Sequence, residues 1–405
     1  ALSFAAYVPD QRDTRWFFSL PVTPTLLKQG QLLAQVWLPG RARAALGPSP
    51  RFDGDLSGLA SANAAADVLL VFAESYGAIT FVDARQAAAL AGPRAELAQA
   101  IDASGRFVVS ARVTAPTFGG SSWLSHAALL SGVDTADPAD HDLLMTSQRP
   151  TLVSHFARHG YRTVGWMPGI KRPWPEGGFY GFDRLADDAG IGYQGPDFGY
   201  WRIPDQAAMA LLHEQELRTD ASTPARAPRL VVFPTTTTHA PFHPIAPLEA
   251  DWSRLISGAA PTLAQARAAS APSVAMQQPL QNYLQSMNYQ YGWWSAYLRD
   301  LALRPLVMVI VGDHQPPALV AGAGTPWDVP VHVIADDPAL IRHLLAKGFA
   351  PGLGLPVATL GPMEVLTRRL LEAFEGHADG DLVPDPSLAE APEPVPGETA
   401  SVPGT

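Results

Sequence analysis

Residues 67–77 read Asp-Val-Leu-Leu-Val-Phe-Ala-Glu-Ser-Tyr-Gly, and the change of character at Glu74 decides how the rest of the chain is read. No side chain from Val68 to Phe72 is polar. A short, β-branched, unbroken apolar run is the pattern of a strand buried on both faces of a parallel sheet. Glu74 then places a carboxylate at the carboxyl end of that strand. Two further segments repeat the form: Arg229 to Pro234 (RLVVFP) opens into Thr235-Thr236-Thr237-Thr238-His239, and Leu306 to Gly312 (LVMVIVG) opens into Asp313-His314. Ligands collect at strand carboxyl ends in parallel sheets, so three such ends predict one shared site.

Working outward, helical patterns fall between the strands, over Ala84–Ala103, Ser125–Ser131, Thr151–His159, Asp205–Arg218 and Gln278–Leu303. Strands that alternate with helices of this length predict an α/β fold, a central, mostly parallel sheet sandwiched by helices. Pro330 to Ala335 (PVHVIA) reads as one more strand with its proline at the first position. A helix from Asp337 and another over Pro362–Phe374 follow, so a smaller C-terminal subdomain is expected over 336–382, completing a main domain over 61–335. Residues 383–405, rich in Pro, Glu, Ala and Ser, read as a disordered tail. The segments 221–228 and 258–272 read as flexible or surface loops.

The first 60 residues mix Trp16, Phe17, Phe18 and Trp37 with scattered prolines, and read as an extended arm or as a segment that follows a membrane anchor or signal peptide. No run of 18 or more apolar residues appears, so no span of the bilayer is expected within these residues. With 47% hydrophobic and 16% charged residues, a chain of 405 residues can bury a core without covalent help. It contains no cysteine, which excludes thiol nucleophiles, cysteine zinc sites and disulfides. The net charge of −10, from 38 acidic and 28 basic residues, repels nucleic-acid backbones. A substrate carrying phosphate must therefore meet a local positive feature, and a bound cation supplies one.

Asp313-His314 can put two ligands on one divalent cation where a buried strand meets a turn, or can serve as a capping pair. Glu74 reads as a cation-holding carboxylate or as a solvated loop residue. Phe118-Gly119-Gly120-Ser121-Ser122-Trp123-Leu124-Ser125-His126 brings glycines and serines to the start of a helix, where free N–H groups welcome an anion; the plain alternative is a serine cap. His239, in Thr238-His239-Ala240-Pro241-Phe242-His243-Pro244, can donate to a substrate oxygen or join a metal site, whereas His243 reads as packing or capping.

The order strand-Glu, serine-rich helix start, strand-Thr-His-x-Pro, strand-Gly-Asp-His resembles the sulfatase-like branch of the alkaline phosphatase superfamily over about Ala66 to Ala335. More narrowly it is similar to lipoteichoic-acid-synthase and phosphoethanolamine- or phosphoglycerol-transferase enzymes. The resemblance implies Glu74, Ser122, Asp313 and His314 as metal ligands, with Ser122 the nucleophile, counted back from Leu130-Ser131-Gly132, and Ser121 as a one-residue alternative. It implies a substrate-binding set of His239, Lys171, Arg172, Trp174 and Ser125. It also implies one divalent metal, Zn²⁺ or Mn²⁺, since an imidazole, two carboxylates and an alkoxide suit either ion.

The activity so implied moves a phosphoglycerol- or phosphoethanolamine-type group from a phospholipid donor to an envelope glycan or lipid acceptor through a phosphoserine. The expected setting is the periplasmic or extracellular face of the cytoplasmic membrane, with the chain a monomer held through an N-terminal anchor. The alternatives are a sulfatase or phosphodiesterase/phosphatase acting on a small ester, and an inactive relative that binds a glycan or lipid. Sulfatases proper resemble Cys/Ser-x-Pro-x-Arg at the nucleophile; Ser122-Trp123-Leu124-Ser125-His126 lacks the Pro and the Arg, which disfavours formylglycine and sulfate esters.

Overall fold

In the computed structural model the chain is described over residues 30, 46–60, 65–199, 201–218, 226–269, 278–302 and 305–376. The expected tail, and most of the expected arm, lie outside these residues. Among the described residues no helix is long and apolar enough to cross a membrane.

One eight-stranded sheet organises the fold. In chain order its strands are β1 (Asp67–Ala73), β2 (Phe107–Thr114), β3 (Arg162–Trp166), β4 (Arg184–Ala186), β5 (Arg229–Pro234), β6 (Leu306–Gly312), β7 (Asp328–Ala335) and β8 (Ala350–Pro351). Across the sheet the order is β4-β3-β5-β1-β6-β7-β2-β8. The strands from β4 to β6 pair in parallel, while β7 pairs antiparallel with both β6 and β2. β1 is thus central, with β5 on one side and β6 on the other.

Strand residues alternate between the two faces, so each apolar run feeds two cores. Leu69, Val71 and Ala73 belong to one core with helices α1 (Ala91–Ala103), α4 (Asp205–Leu212) and α5 (Pro279–Asp300). Val68, Leu70 and Phe72 belong to the other, with α2 (Ser122–Ser131), α3 (Leu152–Arg158), α6 (Pro338–Ala346) and α7 (Met363–Phe374). The expected mostly parallel sheet between two helical layers is the architecture found.

Several boundaries differ from the sequence reading. The single helix expected over Ala84–Ala103 is two, Ala84–Ala89 and α1, because Pro93 has no N–H to give the Ala89 carbonyl. The helix expected from Ser125 begins at Ser122, after Ser121 turns into the left-handed region at φ 63°. The pattern over Asp205–Arg218 ends in a wide π turn, His213–Leu217. β7 starts at Asp328 rather than Pro330; Pro330 pairs with Arg112 of β2, while the β6 ladder stops at Val311↔Val331 and needs no N–H from the proline.

Strands β2 and β3 were not anticipated. Ser110 and Arg112 interrupt the apolar run of β2, and β3 is only Arg162–Trp166. Partners supply what those sequences lack: β2 lies between β7 and β8, and β3 between β4 and β5.

Candidate active site

Because β5, β1 and β6 are adjacent and parallel, their carboxyl ends emerge at one edge of the sheet, and the residues that follow them meet there. Ligand atoms of Glu74, Asp313 and His314 all lie within 4.8 Å of one another, and the three residues are buried. The fourth component comes from α2. Ser122 Oγ donates to Glu74 Oε2 at 3.0 Å and lies 3.2 Å from His314 Nε2. Ser121, one residue earlier, lines the cavity in the left-handed conformation that starts the helix.

Each of these groups is held in place by its surroundings. The Ser75 N–H donates to Asp313 Oδ1 at 2.8 Å, and its hydroxyl donates to Glu74 Oε1 at 2.9 Å. Ser75 takes φ 55° to do this, a left-handed conformation that a non-glycine residue adopts at a cost. Tyr283 of α5 donates its hydroxyl to the Ser75 carbonyl at 2.7 Å. The Glu74 N–H donates to Thr235 Oγ1 at 3.0 Å, and Thr238 Oγ1 donates to the Glu74 carbonyl. Gly312, just before Asp313, is required by close approach, since a Cβ there would run into the Tyr76 carbonyl.

His314 Nδ1–H donates to the Gln315 carbonyl at 2.8 Å, so the neutral ring turns its Nε2 lone pair toward Glu74 and Ser122. Burial and the charge on Glu74 push the Asp313 carboxyl up to about 8. Burial acts on Glu74 in the same sense, but His314, His239 and hydrogen bonds outweigh it and leave Glu74 below its ordinary value. Burial also disfavours charge on His314, yet Asp313 and Glu74 raise it. A cluster that gathers protons in this way demands positive charge. Two carboxylates, an imidazole lone pair and a hydroxyl fit a divalent cation, which would supply that charge.

The cluster opens into a cavity of about 900 Å³. Lys171, Arg172, Trp174, Trp201 and His239 line it with Glu74 and Ser122. Lys171 and Arg172 are exposed cations at its wall, and Lys171 Nζ lies 5.8 Å from the Trp201 ring centre. His239 Nδ1–H donates to the Ala240 carbonyl at 2.6 Å, so the lone pair of the neutral ring is on Nε2. Asp183, which follows Lys171 and Arg172 in the chain, is used structurally, accepting from the Thr163 N–H and hydroxyl at 2.8 and 3.0 Å.

Ser125 stands apart from the rest of the substrate-binding set. It is fully buried and donates its hydroxyl to the Asp313 carbonyl at 2.5 Å, so it holds a ligand's backbone and does not line the cavity. The reason is helical geometry: three residues after Ser122, the side chain faces the sheet edge beneath the nucleophile.

Neither a protein-family model nor a curated protein matches the chain. Solved structures do match. The lipoteichoic acid synthase LtaP from Listeria monocytogenes is similar at 12% identity and TM-score 0.48, over 83% of this chain and 80% of that one. The phosphoglycerol transferase GacH from Streptococcus pyogenes, in complex with sn-glycerol-1-phosphate, is similar at 9% identity and TM-score 0.45, over 85% and 91%. The C-terminal periplasmic domain of EcEptC from Escherichia coli, in its complex with Zn, is similar at 14% identity and TM-score 0.43, over 72% and 77%. A protein in the alkaline phosphatase superfamily from Vibrio parahaemolyticus is also similar, at 15% identity and TM-score 0.42, over 77% of this chain and 69% of that one. At these identities the likeness is one of fold.

Sequence reasoning passed over several residues of the site. Ser75, Thr235 and Thr238 fix Glu74 and Asp313, and only their position beside the strand ends hinted at it. Asp205 of α4 accepts from the Thr236 and Thr237 N–H groups at 2.8 and 3.0 Å, anchoring the loop that carries His239. Nothing local to Asp205 signals this role, because its partners are more than 30 residues away in the chain.

Proposed function

We propose that this chain is a cation-dependent phosphotransferase of the alkaline phosphatase superfamily that works through a phosphoserine at Ser122. The observation that carries the reading is the Ser122 hydroxyl within 3.0 Å of Glu74 and 3.2 Å of His314, lining a cavity that also bears Lys171, Arg172 and His239. One divalent cation, Zn²⁺ or Mn²⁺, held by Glu74, Asp313, His314 and Ser122, would lower the hydroxyl's pKa and offset charge on the phosphoryl oxygens. Ser122 Oγ attacks phosphorus as the bond to the leaving alcohol breaks. Lys171 and Arg172 bind the anionic donor, Trp174 packs against its headgroup, and the His239 Nε2 lone pair accepts from a substrate hydroxyl.

The substrates proposed are a phospholipid donor of a phosphoglycerol- or phosphoethanolamine-type group and an envelope glycan or lipid acceptor. The proposed setting is the outer face of the cytoplasmic membrane. A cavity of about 900 Å³ accommodates such a headgroup with part of its acceptor. The domain limits proposed are those of the sequence reading, a catalytic domain over 61–335 completed by 336–382.

The test is mass spectrometry of the Ser122 peptide after incubation with membrane phospholipids and Zn²⁺ or Mn²⁺. A covalent adduct is expected, and its added mass names the transferred group. No adduct, together with no turnover of a p-nitrophenyl phosphodiester, overturns the reading. Elemental analysis is expected to find about one divalent ion per chain, lost in Asp313→Ala.

A further inference from the structure

Three loops on the β6 side of the cavity share a feature that the proposed chemistry leaves unused. Residues 75–82, 113–133 and 314–327 contain no Asp, Glu, Lys or Arg, in a chain of which 16% is charged. Hydrogen bonds join them into one surface. The Ala78 N–H donates to the Asp328 carbonyl at 3.0 Å, the Ala115 N–H to the Trp327 carbonyl at 3.0 Å, and the Gly119 N–H to the Gln315 carbonyl at 3.1 Å. Gln315, itself buried, donates through Nε2 to the Pro326 and Asp328 carbonyls at 2.9 and 2.8 Å.

This fixed backbone turns large apolar side chains outward. Leu319 is 79% exposed, Val82 56%, Trp123 51% and Trp327 48%, and these are the two exposed tryptophans among the described residues. Phe118 joins them, its ring centroid 6.0 Å from that of Trp327. Val82 belongs to the same face, since Gln86, just after it, donates through Nε2 to the carbonyl of Val320, next to Leu319, at 3.3 Å. Exposed apolar side chains scattered singly are ordinary, whereas a group of them on a held backbone marks a contact surface. Trp123 also lines the cavity that contains Ser122, so the rim runs into the candidate site.

We propose that this uncharged aromatic rim rests in the interfacial layer of a lipid bilayer, with Trp123, Trp327, Leu319 and Val82 as its contacts. Tryptophan suits that layer because its ring is apolar and its N–H still reaches water. Charge favours the same occupant. A chain of net charge −10 is repelled by an anionic bilayer over its acidic faces, and this rim carries no acid. Across the cavity, Lys171 and Arg172 stand with Asp142 and Glu176, so that wall adds little net charge of its own. A folded protein partner is set in register by charged pairs and anchor pockets, which the three uncharged loops do not offer. The docking argument stands on the rim; its use, entry of a lipid headgroup into the cavity without crossing bulk water, rests on the phosphotransferase reading.

Co-sedimentation of the full chain with vesicles tests the proposal without requiring turnover. The vesicles are phosphatidylcholine alone and phosphatidylcholine with phosphatidylglycerol, each at low and high salt. Binding to both is expected, and it should survive high salt because apolar burial is not screened. Trp327→Ser and Leu319→Glu should each weaken vesicle binding by about fivefold or more, with melting and turnover of a soluble p-nitrophenyl phosphodiester unchanged. No binding to either vesicle, or binding equal to wild type in both variants, overturns the proposal. Binding confined to anionic vesicles and abolished by salt overturns it in favour of Lys171 and Arg172. Self-association that both variants abolish, with no vesicle binding, overturns it in favour of a second copy of the chain. Vesicle binding that the variants weaken, with no phosphoseryl adduct at Ser122, would sink the phosphotransferase reading and leave the docking surface standing.

Discussion

At the scale of single residues, the site separates groups that react from groups that aim them. Ser122→Ala removes the hydroxyl that, alone among the described residues, is placed against both Glu74 and His314, so turnover of a phosphodiester should fall roughly 10³-fold or more with the fold intact. Steady-state kinetics beside a circular-dichroism melt read both parts; near-normal turnover removes Ser122 from its role. Ser125 gives the contrasting case. Its hydroxyl donates to the Asp313 carbonyl, and outer groups of this kind commonly weigh about 10-fold in metal affinity. Ser125→Ala should therefore weaken Zn²⁺ or Mn²⁺ binding by about that factor in a calorimetric titration, while a saturating cation restores most of the rate. Unchanged affinity would mean that the Asp313 turn is held without Ser125, by its bonds to Ser75 and Ala73.

At the scale of elements, the decisive fact is that three strands end side by side. β5, β1 and β6 each contribute an apolar run, and each run exposes its polar continuation at the same edge. Helix starts are specified locally too. Thr151 accepts from the Ser154 N–H at 3.1 Å while Ser154 Oγ accepts from the Thr151 N–H at 2.9 Å, a reciprocal cap at the head of α3. Thr151→Ala should cost about 1 kcal/mol, read as a lower urea midpoint with an unchanged slope. A loss below a few tenths would show that packing of Leu152 and Phe156 alone holds the helix.

These elements were legible in the sequence to different degrees. β1, β5 and β6 could be read because burial on both faces leaves no room for a polar residue between Val68 and Phe72. β2 could not, because Ser110 is buried by partners, its hydroxyl donating to the Gly352 carbonyl at 2.6 Å and accepting from His332 Nδ1 at 2.7 Å. Glu74, Asp313 and His314 were accessible as candidates from their places at strand ends. Ser75 and Asp205 were not, and Ser125 was expected to bind substrate rather than to support Asp313, since each acts through a partner that only folding brings near.

At the scale of the whole molecule, a buried chain of polar groups ties the antiparallel side of the sheet to the parallel side. Ser110 fixes His332 with its proton on Nδ1, so His332 Nε2 accepts from the Tyr76 hydroxyl at 3.0 Å, and Tyr76 in turn accepts from Tyr291 of α5 at 2.6 Å. Burial pushes the His332 ring down to about 3. The folded chain therefore keeps this ring neutral where the unfolded chain takes up a proton near the ordinary value of about 6.5. Its contribution is complete above about pH 6.5 and is lost as the pH falls toward 3, at up to about 1.4 kcal/mol per pH unit. Urea unfolding from pH 7.5 to 5 should show a falling midpoint, with a shallower fall in His332→Gln. Equal slopes would assign the acid sensitivity to other buried histidines.

The sequence by itself determined where β1, β5 and β6 run and that acidic, hydroxyl and imidazole groups stand at their ends, because two-sided burial and the break from it are written in consecutive residues. Only the tertiary structure decided that β5 and β6 flank β1, that Ser122 rather than its neighbour faces Glu74 and His314, and that Ser125 and Asp205 serve as supports. Strand order and side-chain convergence depend on contacts between residues separated by tens to hundreds of positions, and such contacts leave no local periodicity to read.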